Sequence, residues 1–409
     1  MQAAYRFVVV GGGPCGGLAA SELARASGAG TVAMIGEEAS GPYERPVLSK
    51  SFLTDEAEPP LPEIVTQKKL EELGIRTIYS DPAISINCVN STVRTESGQQ
   101  ISYEKLLIAT GARPRVLDIP GADLKGVHLL RSYADAKSLR AGLRTAKQLV
   151  VIGGGLIGLE VAAAAQSLGL SVTVIEAGER VMGRICPSII AEAVLGKFTA
   201  NSVDVRLGWR PIRIDEMGQS KRVAFDNGEV IEADLVAIGI GSRPNTILAE
   251  TSGIAVQDGV LVDHYGQTSV ENVYAAGDVA NRPFDTFGVR RRLEAWDPAL
   301  EHGRLIAAAM LGQKAARPRA PWAWTDLFDW NIQFLGFGDL ADTEIVVSGR
   351  PEARELVVLQ ARAGKLVGAT ALNAGRDMAY CRRALARGAS VDFGAARAER
   401  RALQDILVS

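Results

Sequence analysis

The residues best suited to chemistry in this 409-residue chain lie in two short glycine loops. Gly11-Gly12-Gly13-Pro14-Cys15-Gly16 follows the apolar run Phe7 to Val10 and opens a helix-like stretch from Leu18 to Ala26. Gly153-Gly154-Gly155-Leu156-Ile157-Gly158 follows Leu149 to Ile152 and opens another from Leu159 to Leu168. Strand, tight turn and helix in that order aim backbone N–H groups and the positive end of a helix at an anion. Gly11 and Gly153 permit the turn, Gly13 and Gly155 let the backbone approach a pyrophosphate, and Gly16 and Gly158 let the helix pack on its strand. Each unit then runs into a second strand, Thr31 to Ile35 or Ser171 to Ile175, and an acidic residue. Glu37, 21 residues after Gly16, and Glu176 stand where a carboxylate accepts hydrogen bonds from an adenosine ribose. A single loop of this kind is common; two complete units predict a chain that binds two dinucleotides.

Glu176 also predicts which nicotinamide is used. A carboxylate at the ribose repels the extra phosphate of NADP, and Ala177 and Gly178 after it carry no charge. NADH is therefore favoured, with Arg180 the one nearby cation able to reach a phosphate.

The elements that must position these loops are legible around them. Thr92 to Thr95, the turn Ser97-Gly98 and Leu106 to Ile108, ending in Ala109-Thr110-Gly111, read as strands. A matching set follows the second unit: Val223 to Phe225, the turn Asp226-Asn227-Gly228, and Leu235 to Ile238 ending in Gly239-Ile240-Gly241. Boundaries fall near Arg113 and Arg243. From Pro318 the composition shifts to Trp322, Trp324, Phe328 and Trp330, then to alternating segments at Glu355 to Gln360 and Leu366 to Ala369 that imply a small sheet domain.

Bulk properties bound the function. Hydrophobic residues at 47% and charged residues at 22% are those of a chain folded throughout. A net charge of -2 argues against nucleic acid as the main partner. Glycines interrupt the apolar N-terminal stretch, so no export signal is read, and no apolar run reaches the roughly 18 residues of a membrane span. A cytoplasmic protein is expected. Cys15, Cys88, Cys186 and Cys381 form no C-x-x-C pair, which predicts separate thiols, no dithiol relay and no metal site.

The chain resembles the FAD-containing ferredoxin reductases that serve Rieske-type aromatic-ring dioxygenases and some cytochromes P450. The resemblance spans essentially its whole length. Its carriers are the first glycine loop, Pro42-Tyr43-Glu44-Arg45-Pro46-Val47-Leu48-Ser49-Lys50, Ala109-Thr110-Gly111, Gly158-Leu159-Glu160, Val273-Tyr274-Ala275-Ala276-Gly277-Asp278, and Glu294-Ala295-Trp296. It implies an α/β fold with two Rossmann-like dinucleotide-binding domains, as in glutathione reductase, and a small C-terminal α+β domain. The FAD domain would comprise 1–113 and 243–317, the NAD domain 114–242, and the C-terminal domain 318–409.

The resemblance also implies roles. FAD would be held by Gly11, Gly13, Pro14, Cys15, Gly16, Glu37, Arg45, Lys50, Ala83, Ala109, Thr110, Gly111, Arg131, Gly277, Asp278, Glu294, Ala295 and Trp296, with Asp278 accepting from the ribityl hydroxyls. NADH would be held by Gly153, Gly155, Leu156, Ile157, Gly158, Glu160, Glu176, Gly239, Ile240 and Gly241. Lys50, Glu160 and Trp324 are the implied catalytic residues, Glu160 facing flavin and nicotinamide and pairing with Lys50; three neighbouring tryptophans leave the choice of Trp324 open. Hydride would pass from NADH to the flavin N5, and two electrons would leave singly to a [2Fe-2S] ferredoxin. A monomer or weak homodimer is expected.

The chain departs from that pattern at Pro298 and His302, where the family has asparagine and glutamine. Arg290, Arg291 and Arg292, just before Glu294, are expected to form a basic patch for an acidic ferredoxin, with a solvated loop or an anchor for Glu294 as the alternatives and Arg382 and Arg383 as the other docking surface. A second functional reading is a flavoprotein of the apoptosis-inducing-factor type, which acts by NADH-responsive interaction.

Overall fold

A computed structural model describes residues 3–314, 318–350, 355–396 and 403–408. The chain divides into two compact units: Met1–Arg45, Pro60–Arg113 and Arg243–Arg319 form the first, and Pro46–Pro59, Pro114–Ser242 and Ala320–Ser409 the second. The segment expected as a third domain, 318–409, thus lies almost wholly in the second unit, and residue 317, its expected border, lies outside the described residues. Among the described residues no helix is long and apolar enough to cross a membrane.

The first unit is built on a sheet with strand order Arg76–Ile78, Val32–Ile35, Ala3–Val10, Gln100–Ile108, Thr92–Thr95, Ala83–Asn87, with Val273–Ala275 also paired to Gln100–Ile108. Ala3–Val10 lies parallel to both neighbours, Phe7 opposite Val32 and Lys105. The continuous apolar run Phe7 to Val10 now has its reason. Phe7 and Val9 pack on one face with the helices Pro14–Ser27 and Trp296–Met310, while Val8 and Val10 pack on the other with Ile101, Val260 and Val273. A strand covered on both faces needs apolar residues at every position rather than at alternate ones, and each large side chain buried there contributes about 1.5–3 kcal/mol.

The second unit repeats the plan. Its five strands, in the order Asp204–Leu207, Ser171–Glu176, Gln148–Ile152, Leu235–Ile238, Val127–Leu129, are all parallel. The helix Leu156–Ser167 packs on them. A three-stranded antiparallel sheet, Pro211–Met217, Ser220–Phe225 and Val230–Ala233, covers part of the core through Val223 and Phe225.

The C-terminal residues add an antiparallel sheet in the order Trp322–Leu327, Trp330–Gly336, Lys365–Leu372, Glu355–Arg362, Thr343–Arg350, with the helix Gly375–Ala386 against it. The alternation expected from Glu355 to Gln360 is replaced by continuous burial of Leu356 to Ala361. This strand is central in its sheet, so burial is continuous along it and takes in Gln360 with the apolar residues.

Candidate active site

In both units the turn before the helix is closed by the same two contacts. Gly11 and Gly153 adopt φ of +127° and +114°, where an L side chain is strained. A Cβ on Gly11 would stand 2.1 Å from the Ala109 carbonyl oxygen, and one on Gly153 2.4 Å from that of Gly239. A Cβ on Gly16 or Gly158 would meet the carbonyl oxygen of Gly11 or Gly153 at 1.9 or 2.0 Å. The helices that follow begin at Gly13 and Gly155, which offer no side-chain cap, so the first-turn amides keep their donors for a ligand. Two such cradles fit the diphosphates of two dinucleotides, in donor chemistry and in the space that only glycine leaves.

Around the first cradle the structure gathers several of the expected FAD residues. A Cβ on Gly277 would touch the Cys15 Cβ at 3.0 Å, and Asp278 acts electrostatically on both Cys15 and Arg45. Burial works against the charge of Arg45, but Tyr43 and Glu38 outweigh it and hold the guanidinium above its ordinary value. Its Nη2 donates to Glu38 Oε1 at 2.5 Å, and Tyr43 donates to Glu38 Oε2 at 2.6 Å. Ala109 closes the turn at Gly11, the Thr110 hydroxyl donates to the Asn245 carbonyl at 2.7 Å, and Gly111 accepts from the Asn245 amide. Glu37 stays exposed, 3.4 Å from Arg113. Ala83 opens the strand Ala83–Asn87 at the edge of the sheet and packs on the cluster that holds Val8, Val10 and Ile35. Arg131 belongs to the second unit, where its amide donates to Asp135 in the cap of the helix Tyr133–Leu143.

Glu294 pairs with Arg292 at 2.5 Å, and Arg292 also meets Asp258 at 3.2 Å and the Asp278 carbonyl at 3.0 Å. Arg290 donates to the carbonyls of Val262 and Asn281, both at 2.7 Å. Of the expected basic run, Arg290 stays exposed while tied to these carbonyls, and Arg292 anchors Glu294, one of the alternatives for the run. Ala295 caps the helix Trp296–Met310, which Trp296 opens. Pro298 sits in the first turn of that helix, where a missing N–H costs nothing.

His302 is buried and its Nδ1 accepts the Gly277 N–H at 3.1 Å, which places the proton of the neutral ring on Nε2. Burial, aided by Arg282, pushes its pKa well below the usual 6.5. The folded protein thus keeps this ring neutral where the unfolded chain would protonate it, and stability is lost as pH falls below about 6.5 toward the folded value. Thermal unfolding between pH 7.5 and 5.5 should show this loss, and His302→Gln, which keeps an acceptor for Gly277 but cannot titrate, should flatten it. Parallel losses in both proteins would exonerate His302.

The second cradle is finished by Glu176, whose Oε2 accepts from Gly154 and Oε1 from Gly178, each at 2.7 Å. Arg180 is turned onto the Gly183 carbonyl at 3.0 Å. The Gly239 amide donates to the Ile152 carbonyl at 2.8 Å, and Gly241 has φ of +99°. Leu156 is half-buried and Ile157 is 44% exposed at the helix start.

The expected catalytic residues come together within the second unit. Glu160, 5% exposed, receives Ser49 at Oε2 and Thr325 at Oε1, the latter at 2.6 Å. Lys50 Nζ stands 3.4 Å from Glu160 Oε1 and 2.5 Å from Asp326 Oδ2, and 5.6 Å from the centre of the Trp324 ring. Burial raises the Glu160 pKa against the opposing effects of Lys50, Ser49 and Thr325. The tryptophans are now distinguished: Trp324 flanks Lys50, Trp322 stacks on it at 5.1 Å beneath Arg382, and Trp330 lies under Lys197.

Sequence reasoning missed Asp326 and Thr325, adjacent to Trp324, and the role of Ser49 inside a quoted motif. It also missed Arg282. That side chain is 5% exposed, lies over Phe284 at 4.8 Å, and its Nη1 has no hydrogen-bond partner among the described residues. Burial lowers its pKa to about 10. An arginine four residues past the Gly-Asp motif was the available signal.

The sequence matches the family described as pyridine nucleotide-disulphide oxidoreductase over residues 5–303 and the one described as reductase C-terminal over 322–407. It is 37% identical to a rubredoxin-NAD(+) reductase of Ectopseudomonas oleovorans, covering 90% of this chain and 95% of that one. Identity is 34% to the biphenyl dioxygenase system ferredoxin–NAD(+) reductase component of Paraburkholderia xenovorans, over 94% and 93% of the two chains. The solved structure of a ferredoxin reductase from Rhodopseudomonas palustris superposes with a TM-score of 0.93 at 31% identity, covering 99% of each chain.

Proposed function

Because the chain belongs to the pyridine nucleotide-disulphide oxidoreductase family, we propose that it is an NADH-dependent ferredoxin reductase of an oxygenase system. One NADH and two oxidised ferredoxins give one NAD+, one proton and two reduced ferredoxins. FAD, when bound, supplies the conversion of a two-electron donation into single-electron transfers. The observation that carries the reading is the pair of matching glycine cradles, one per unit. Residues 1–113 with 243–317 are assigned to FAD and 114–242 to NADH, with 318–409 as the C-terminal domain.

The family's dithiol chemistry has no counterpart here. All four cysteines are free, and burial lifts the thiols of Cys15, Cys186 and Cys381 to about 12, so none supplies a thiolate near neutrality. Electrons therefore leave without a disulfide step. Asp278 is assigned to the ribityl hydroxyls and the buried Arg282 to an anionic part of the same ligand, which would relieve its unmet donor. Lys50, Glu160 and Trp324 attend the hydride transfer. Relatives bearing reductase names favour this enzyme over the interaction-only flavoprotein.

Steady-state reduction of purified [2Fe-2S] ferredoxin and of rubredoxin, each with NADH and NADPH, tests the assignment. NADH should exceed NADPH in kcat/KM by about 100-fold, because the Glu176 carboxylate stands against a 2′-phosphate and Arg180 is tied to Gly183. Ferredoxin should be the faster acceptor. Preference for rubredoxin would move the partner, and equal use of both nicotinamides would overturn the role of Glu176.

A further inference from the structure

We propose that Asp326 is a positioning residue that draws the Lys50 ammonium away from Glu160, leaving Glu160 as the carboxyl of this cluster that exchanges a proton with solvent. The inference deepens the proposed function and depends on it only for its use in turnover. Its basis is the kind of donor around each carboxylate.

Asp326 is met by donors that cannot reverse. Lys50 offers an ammonium at 2.5 Å to Oδ2, and Asn331 Nδ2 donates to Oδ1 at 2.7 Å. The Asn331 amide cannot turn over without loss, since its Oδ1 accepts from Gln333 Nε2 at 2.8 Å and its backbone N–H is held by Asn373 Oδ1 at 2.7 Å. Gln333 is oriented in turn by the Trp322 indole N–H, 3.1 Å from its Oε1. Ammonium and amide N–H groups have nothing to accept with, so among these protein partners a proton on Asp326 would meet only donors.

Glu160 is met by hydroxyls. Ser49 and Thr325 donate to its two oxygens, and each can rotate to accept from a protonated carboxyl instead. Its third neighbour, Lys50, stands at 3.4 Å, beyond the length of a charge-assisted hydrogen bond, because Asp326 holds it. Glu160 is therefore surrounded by groups that tolerate either protonation state, and its partial counter-ion is shared. Burial pushes its pKa up, in keeping with this geometry, whereas for Asp326 hydrogen bonds from Lys50 and Asn331 overcome burial and hold it below the ordinary value.

Two charged groups of neighbouring elements are engaged elsewhere. Glu176, at the end of the neighbouring strand Ser171–Glu176, is turned onto the amides of Gly154 and Gly178. Arg140, which packs on the short helix after Lys50, donates to the carbonyls of Phe52, Asp55 and Glu56.

The test is a pH titration of the oxidised holoprotein by difference infrared spectroscopy, reading the C=O stretch of a protonated carboxyl, with Glu160→Gln to assign the band. It uses neither NADH nor ferredoxin, so it stands or falls apart from the assigned activity. The band should vanish in Glu160→Gln. In Asp326→Asn, Lys50 is freed to pair with Glu160, and the midpoint should fall by at least about one pH unit, a tenfold loss of proton affinity. Asp326→Glu should restore it toward wild type. Asn331→Leu, which removes the brace without touching a charge, should shift it in the same direction by less and serves if Asp326→Asn does not fold. A band lost in Asp326→Asn but kept in Glu160→Gln, or an unchanged midpoint in both Asp326→Asn and Asn331→Leu, would overturn the proposal.

Discussion

Gly158→Ala should purify yellow and fail to be bleached by NADH, whereas Gly16→Ala should purify with little or no flavin. Both substitutions add one methyl group, and both place it about 2 Å from a carbonyl oxygen of their own turn, 2.0 Å in one case and 1.9 Å in the other. Real Cβ atoms do not approach backbone oxygen so closely, so the turn must open and its amides leave their aim. Overpacking of this kind costs about 1–3 kcal/mol, and 3 kcal/mol is roughly a 100-fold loss in affinity. The two variants differ only in which cradle is spoiled. Flavin absorbance after gel filtration, thermal unfolding and anaerobic stopped-flow reduction read the outcome. A Gly16→Ala protein with full flavin content and normal unfolding, or a Gly158→Ala protein reduced by NADH as fast as wild type, would reassign the loops.

Lys50→Met should slow flavin reduction by NADH by about 100-fold, within the range that a positioned proton-bearing group contributes, and should lower the melting temperature. The lysine pairs with both Asp326 and Glu160, and its side chain is 20% exposed. Removing it leaves two carboxylates facing each other's field with Glu160 buried, and breaking a buried pair from one side costs about 3–5 kcal/mol, of which partial exposure returns some. Part of that cost is relieved by protonating Glu160, so the stability loss should shrink as pH falls. Lys50→Arg keeps the charge and should recover most of the stability but less of the rate, since a planar fork does not reproduce a point donor. Wild-type reduction rates in Lys50→Met would remove Lys50 from the machinery.

Both dinucleotide units could be read from the amino-acid order because their chemistry is local. A turn that no Cβ can enter, a helix start without a side-chain cap and a strand apolar at every position are each written in consecutive residues. Hence Gly11, Gly16, Gly153 and Gly158 stand where their spacing put them. The free thiols followed from the absence of any close cysteine pair. The Glu160 and Lys50 pairing came with the family's motifs rather than from spacing, since 110 residues separate the two positions.

Tertiary structure alone decided what the charges do. Arg290 and Arg292 read as a basic run, and the fold brings carbonyls of Val262 and Asn281 and the carboxylates of Asp258 and Glu294 to them. His302 read only as a departure from the family's pattern, and it is the acceptor for Gly277, a contact across 25 positions. Asp326 carried no signal beside three tryptophans, because its meaning lies in Lys50, 276 positions earlier in the chain. The physical reason is common to all three. A backbone conformation is fixed by its own neighbours, whereas the state of an ionisable side chain is set by whichever donors, charges and burial the completed fold places around it.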